Sequence, residues 1–410
     1  MNQKVKLHFL TLSLEYGGSE RQLIALARNL DRDRFDVTAV CFYGRGGLES
    51  ELRKSGIPLA NLDEGSSQSE KVRPGGNKTA GAAPADPASR GRWEVFKYVS
   101  TLSRFLSREK PDIIYSFLSV PNNLATLMKI FFPKMKVVWG IRASNIDQSL
   151  PDWGSRMNFR ISGWLSNLPD LIIANSRSGF SYHADRGYQR KKMMVIPNGI
   201  DSDCFRPSPE LRMAVRKEWK IPERTILIGL IGRLDPMKDH GNFLQAAASL
   251  NSRKMSLGFV CVGDGPSGYR EELKCLGKKL GLEEVLRWPG SRMDMPAVYN
   301  ALDISVSSSA FAEGFSNVIG ESMACGIPCV VTEVGDSALL VGDTGKTVPP
   351  GDSAALASAL DKLIDLPEGE RRELGQKARK RIRDEYTIEK LVERTQKALL
   401  NLINPSTSPV

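Results

Sequence analysis

Ile304-Ser-Val-Ser-Ser-Ser-Ala-Phe-Ala-Glu313-Gly-Phe-Ser-Asn-Val-Ile-Gly-Glu321-Ser-Met-Ala-Cys-Gly326-Ile-Pro328 reads as a strand, a polar turn, a loop and a helix in quick succession. The apolar run Ile304–Val306 is a buried strand and Ser307–Ser309 its turn. A helix begins near Asn317 and stops at Gly326, a residue suited to the left-handed position that closes helices. The first N–H groups of such a helix, those of Ser316, Asn317 and Val318, have no carbonyl one turn back, so they form a ready site for an anion. Glu321, about one turn inside, can accept two hydroxyl hydrogens from a ribose. Glu313, in the loop after the strand, can accept from another polyol. The stretch alone also supports a plainer reading, two surface glutamates at a helix end.

The same strand–loop–helix alternation extends in both directions. Upstream of residue 200 the apolar runs Lys6–Leu12, Val37–Phe42, Asp112–Phe117, Val137–Trp139, Leu171–Ala174 and Met193–Ile196 predict strands, with helices at Glu20 to about Leu30 and Val95–Leu106. Downstream, Thr225–Ile231, Leu257–Val262, Val285–Trp288, Ile304–Val306 and Pro328–Val331 form a second set. Short, continuous apolar runs of this kind belong to parallel sheets covered on both faces. The expected fold is α/β, two doubly wound Rossmann-like domains facing across a cleft, with ligands at the carboxyl ends of the strands. The expected limits are an N-terminal domain over 1–200, a polar, proline-bearing linker over 201–222, a C-terminal domain over 223–387, a final helix over 388–404 and a disordered tail over 405–410. Residues 64–92, rich in Gly, Ser, Ala and Pro, cannot bury enough surface to offset their ordering entropy and read as a flexible insertion.

A chain of 410 residues is long for one core, which agrees with two domains. Its formal net charge of +10 suits an anionic substrate or surface, but the aromatics do not interleave with the cations as nucleic-acid binding would require, so no nucleic-acid partner is expected. The six cysteines include no Cys-x-x-Cys pair and no adjacent histidine, which argues against zinc and for a reduced, cytoplasmic protein. The apolar run Leu7–Leu14 after Lys4 and Lys6 imitates a short signal sequence, but His8 interrupts it and Glu15 follows it; a first buried strand is the better reading. No apolar segment reaches the roughly 18–20 residues of a membrane helix.

Three more strand ends carry candidate chemistry. Gly232-Arg233-Leu-Asp-Pro-Met-Lys238-Asp-His240 follows the first strand of the second domain, where Arg233 and Lys238 can clamp a diphosphate. Gly263-Asp-Gly-Pro-Ser-Gly268 imitates a dinucleotide fingerprint, but Glu283 and Glu284 precede the next strand instead of ending it; the turn is expected to shape the cleft. In the first domain Gly17-Gly18 allows close backbone approach, with Ser19 expected as helix N-cap and Gln22 completing a capping box. Arg142 leaves another strand end, either as a substrate contact or paired with Asp147. His183 and His240 are the remaining acid–base candidates; neither carries a recognisable partner.

Taken in order, Gly17-Gly-Ser-Glu20, Val195-Ile-Pro-Asn-Gly-Ile-Asp201, Gly232-Arg-Leu with Lys238, Val262-Gly-Asp-Gly-Pro266, Glu313-Gly-Phe through Glu321-Ser-Met-Ala-Cys-Gly-Ile-Pro328 and Val341-Gly-Asp-Thr-Gly345 resemble glycosyltransferase family 4, retaining nucleotide-sugar enzymes of the GT-B fold. The match spans nearly the whole chain outside 64–92. The resemblance implies a hexosyl transfer from a nucleotide-diphosphate sugar to a glycan or lipid-linked acceptor, with no cofactor and no metal. It places Arg233 and Lys238 on the donor diphosphate, Glu321 on the ribose and Glu313 at the donor sugar. Gly17, Gly18, Arg142, Gly232, Gly263, Phe315, Ser316, Asn317 and Val318 complete the candidate binding set, and the final helix crosses back to the first domain. Segments around Tyr115–Leu118 and Ile141-Arg142 resemble a subgroup active in bacterial surface-polysaccharide assembly. Many family members carry histidine where this chain has Tyr115 or Phe117, or near Arg142, and proline where it has Ser316. A non-catalytic sugar-nucleotide scaffold and a GT-B epimerase are the rival readings. A peripheral contact with an anionic membrane on its inner face is the weaker expectation, resting on Arg177, Arg186, Arg190, Lys191 and Lys192 and on Trp153, Phe159 and Trp164 beside Arg156 and Arg160.

Overall fold

The computed structural model describes residues 4–43, 46–62, 92–142, 153–251 and 256–404. Asp147, the tail 405–410 and the expected insertion up to position 91 lie outside the described residues.

Two parallel sheets organise the chain. The first holds β1 (Val5–Thr11), β2 (Phe35–Cys41), β3 (Leu59–Asn61), β4 (Ile113–Phe117), β5 (Lys136–Ile141), β6 (Leu171–Ala174) and β7 (Met193–Val195), in the spatial order 3-2-1-4-5-6-7. The second holds β8 (Ile226–Ile231), β9 (Leu257–Val262), β10 (Leu286–Gly290), β11 (Ile304–Ser307), β12 (Cys329–Thr332) and β13 (Lys346–Val348), ordered 10-9-8-11-12-13. In each sheet the order reverses beside the first strand of its domain, which opens a crevice at the carboxyl end of that strand.

The period of two along a strand explains why these runs are apolar throughout. Ile226, Ile228 and Leu230 of β8 pack with Phe243, Leu244 and Leu250 of the helix His240–Asn251. Leu227 and Ile231 turn the other way, toward Leu302, Ile319 and Met323. The first sheet divides likewise: Leu7 and Phe9 join Leu23 and Leu26 on one face, while Leu10 joins Trp139 and Met128 on the other.

Residues 201–222, read as a linker, carry the helix Pro209–Glu218, capped by Ser208 through the N–H of Leu211. Arg212 and Arg216 from this helix both grip Asp303, at 2.7 and 3.0 Å, just before β11. The final helix, Ile388–Ile403, buries Leu391, Val392 and Leu399 among the first domain's Leu23, Leu26 and Val37.

The expected capping box is corrected. The helix runs Gly18–Asn29 with Gly17 as its cap, so Ser19 lies inside the first turn and its hydroxyl donates to Glu20 instead. Gln22 turns to the chain crossing between domains, bonding both the N–H and the carbonyl of Gly199. A long-range backbone partner outcompetes the local cap because Gly199 is itself buried and must be satisfied.

Candidate functional site

The loop after β8 is built from short-range constraints. Asp235 accepts from the N–H of Met237 and caps the tight turn Pro236–Lys238, and Asp239 then takes a left-handed conformation (φ 47°). Ser308 donates to the carbonyls of Lys238 and Asp239, and the N–H of Ala310 donates to the carbonyl of Met237, so this loop is fastened to the one following β11. The fastening brings Lys238 to Glu313: the ammonium lies 2.8 and 3.0 Å from the two carboxylate oxygens, with both side chains largely buried. Gly335, at φ 64°, lies under Glu313, where any Cβ would come within 2.3 Å of the Glu313 carbonyl oxygen.

Four residues after Glu313, the helix Asn317–Ala324 begins without a side-chain cap. Among the described residues no acceptor meets the N–H groups of Ser316, Asn317 or Val318, and the buried Ser316 hydroxyl has no partner either. This is the electropositive end of the helix. Glu321 is buried on the next turn. One of its oxygens takes the guanidinium of Arg21 at 2.8 Å; the other accepts from the Tyr299 hydroxyl at 2.8 Å. Burial raises the Glu321 carboxyl above its ordinary value while Arg21 holds it down. Neither Arg21 nor Tyr299 is among the sequence candidates.

The first domain contributes from the ends of its own strands. Arg142, beyond β5, donates to the Asn198 side chain at 3.1 Å and the Tyr115 hydroxyl at 3.2 Å, and its guanidinium lies 4.2 Å from the Phe117 ring centre. Among the described residues no carboxylate comes within ion-pair distance of it. Asn198 passes the chain of bonds to Asn317 across the cleft at 2.9 Å, and Asn317 donates to the carbonyl of Gly18 at 3.4 Å. Gly17 and Gly18 therefore face the same helix start as the second-domain residues. Where other sequences of this pattern carry histidine, Tyr115 and Phe117 supply a phenol and a cation-holding ring.

A second bridge closes the cleft. Asp336 of the second domain accepts from the N–H groups of Arg177 and Ser178, at 2.7 and 2.8 Å, at the start of the helix Arg177–Ala184. Replacing Asp336 with alanine removes both acceptors and is expected to lower stability by about 1–2 kcal/mol, read as an earlier urea midpoint.

Several candidates stand elsewhere. The Arg233 side chain shares the loop of Lys238 but is 72% exposed and pairs with Asp235 at 3.7 Å. The Phe315 ring is buried against Tyr386 at 5.4 Å and under Gly320, so within the candidate binding set it is the backbone of this residue that can face a ligand. Gly263 (φ 146°) packs so tightly that a Cβ would meet the Gly232 carbonyl oxygen at 1.9 Å; the turn braces the Lys238 loop. His183 and His240 are buried and pushed down to about 4, and so remain neutral and structural. Two Asp-x-Asp triplets, Asp31–Asp33 and Asp201–Asp203, close local turns, Asp31 accepting from Asp33 and Asp201 from Asp203 and Cys204. Among the described residues no group of three acids, histidines or cysteines could hold a metal ion.

Two Rossmann-like halves, with side chains and helix starts converging on the crevice between them, define the GT-B class. Residues 16–203 match a family model described as Glycosyltransferase Family 4, and residues 225–365 match one described as glycosyl transferases group 1, so each half of the chain is similar to a glycosyltransferase domain. Among curated proteins it is 32% identical over 214 residues to D-inositol 3-phosphate glycosyltransferase 2 of Catenulispora acidiphila, covering 48% of each chain. It is 35% identical over 207 residues to the D-inositol 3-phosphate glycosyltransferase of Corynebacterium jeikeium, covering 48% of this chain and 49% of that one. The matched region thus spans about half the length of these relatives. Among solved structures, Anabaena HepE in complex with UDP-glucose superposes with a TM-score of 0.79 at 23% identity, over 97% of this chain and 99% of that one. Sucrose-phosphate synthase from Thermosynechococcus elongatus does so at 0.80 and 17%, over 98% and 100%. At these identities the likeness is one of fold.

Proposed function

We infer that this protein transfers a hexose, with retention, from a nucleotide-diphosphate sugar to a glycan or lipid-linked acceptor. The observation that carries the reading is the cleft wall on which Lys238–Glu313, the open helix start at Ser316–Val318 and Glu321 stand together. That wall offers a cation and N–H donors for a departing diphosphate, and a buried carboxylate for a ribose. UDP and UDP-glucose in the HepE structures, and the sugar transfer named for the D-inositol 3-phosphate relatives, support a nucleotide-sugar donor.

As the bond between sugar and phosphate lengthens, negative charge grows on the diphosphate and positive charge on the sugar. Lys238 and the helix start stabilise the first, with Arg233 able to reach in from solvent. Both oxygens of Glu313 face Lys238, which blunts them as nucleophiles. Glu313 orients the lysine and accepts from sugar hydroxyls, and the acceptor attacks from the face the diphosphate leaves. These cations perform the charge neutralisation otherwise done by a metal, so EDTA is expected to leave turnover unchanged. The resemblance of the segments around Tyr115–Leu118 and Ile141-Arg142 supports a role in exopolysaccharide, O-antigen or capsule assembly on the cytoplasmic side. A mass-spectrometric screen of UDP-, GDP- and ADP-sugars tests the reading. Sugar transfer with one donor class supports it; donor binding without turnover, or conversion to an isomeric donor with no acceptor present, overturns it in favour of a scaffold or an epimerase.

A further inference from the structure

Seven of the twelve exposed large apolar side chains among the described residues fall between Leu127 and Leu168. They occupy two neighbouring helices of the first domain, Ser119–Phe131 and Trp153–Leu165, and the turn after the second. Asn158 joins the helices by bonding Ser119 and Asn123, and Ser162 bonds Asn123 in turn. On the second helix Met157, Ile161 and Trp164 recur at i, i+4 and i+7 and so share one face, with Trp164 89% exposed. On the first, Ile130 and Phe131 are 69% and 64% exposed at its C-terminal end, which the ion pair of Lys129 with Asp170 ties to the turn beyond Leu168. Phe159, expected in the same patch, is instead part of the interior, ringed by Tyr182, His183 and Tyr188.

The charge around this face is one-sided. From Ser119 to Lys192 the sequence carries eleven Lys and Arg against four Asp and no Glu, out of a net +10 for the whole chain. Arg160, Arg186, Arg190 and Lys191 are exposed, and the carbonyl of Arg186 lies 3.5 Å from the Cβ position of Gly163 on the second helix. An exposed tryptophan and aliphatic row beside uncompensated cations matches a surface that is apolar inside and anionic outside. A soluble monomer does not ordinarily leave such a row in water.

We propose that the outer face of the helices Ser119–Phe131 and Trp153–Leu165 docks on an anionic phospholipid bilayer, with Trp164, Ile161, Ile130 and Phe131 entering the headgroup boundary and Arg160, Arg186, Arg190 and Lys191 meeting the lipid phosphates. This interaction does not depend on the transfer reaction. It would hold the first domain, the acceptor side of the cleft, against a membrane.

The full-length protein is sedimented with phosphatidylcholine vesicles, with and without phosphatidylglycerol. Binding is expected only to the anionic vesicles and to weaken with salt. The double variant W164S/I161S is expected to lose binding by on the order of tenfold or more. R190Q/K191Q is expected to lose roughly fivefold per charge. Circular dichroism melting of all variants and donor turnover in detergent-free buffer are expected to match the parent protein, which separates this face from the reaction site. Absence of vesicle binding by the parent overturns the proposal, as does binding that survives both double variants. A concentration-dependent dimer abolished by W164S/I161S overturns it by assigning the face to a second copy of the chain.

Discussion

Replacing Lys238 with alanine is expected to cut kcat/KM for the sugar donor by about 10²–10³, the usual cost of deleting one preorganised charge at a reacting centre. The lysine lies at the carboxyl end of β8 on a loop fastened by Ser308 and Asp235, so its ammonium is held in place before any donor arrives. Its partner Glu313 is buried with it. In the alanine variant that carboxylate is left without its cation in a poorly hydrated site, and part of the loss will be structural. Lys238→Arg separates the two effects. It keeps the charge near Glu313 and restores stability, but a planar fork does not reproduce a point charge at the same place. The expected pattern is thermal stability close to the parent for Lys238→Arg, with turnover still reduced. Full donor turnover in Lys238→Ala would remove this residue from the site.

How legible was this arrangement in the chain itself? The strands of both sheets were, because a strand covered on both faces must be apolar throughout, and Gly and Pro mark its ends. β3 and β13 were not: each has three residues and carries polar ones, Leu-Ala-Asn and Lys-Thr-Val, so neither stands out as an apolar run as Met-Met-Val of β7 does. Lys238 and Glu313 were legible as candidates because each lies on the loop after a strand end, and Glu321 because it lies one turn inside the helix that follows, local cues in each case. Arg21 and Asp336 carry no such cue: each acts on a group in the other domain, and only the packed molecule joins them. Two side chains go elsewhere than their local chemistry suggests, for the same physical reason. Ser19 had the right local chemistry for a cap, but the backbone entered the helix two residues earlier, with Gly17 as its cap. Phe315 sits inside a binding motif, yet its side chain belongs to the second domain's core, holding the helix that carries Glu321.

Changing Glu321 to glutamine is expected to weaken donor binding by about 2–3 kcal/mol, or roughly 30- to 150-fold, with a smaller effect on turnover at saturating donor. The amide keeps the shape of the side chain. Its oxygen can still accept from Tyr299, but its NH₂ then confronts the Arg21 guanidinium, donor against donor, and the acceptor for ribose hydroxyls is lost. The pH dependence tests the same group without mutating it. Burial raises the Glu321 carboxyl, so the folded protein holds that proton more tightly than the unfolded chain does. Protonation at low pH therefore relieves a stability cost and does not unfold the protein through this group, while it removes the carboxylate a ribose needs. Donor affinity should fall on acidification at a pH above the ordinary glutamate value, while the fold persists. Arg21 lowers the Glu321 carboxyl, so Arg21→Gln should move that acidic limb to higher pH. Calorimetric titration of donor across pH, in parent and Arg21→Gln, reads both effects. A limb that stays in place or moves to lower pH in the variant would mean that Glu321 is not the group controlling donor binding.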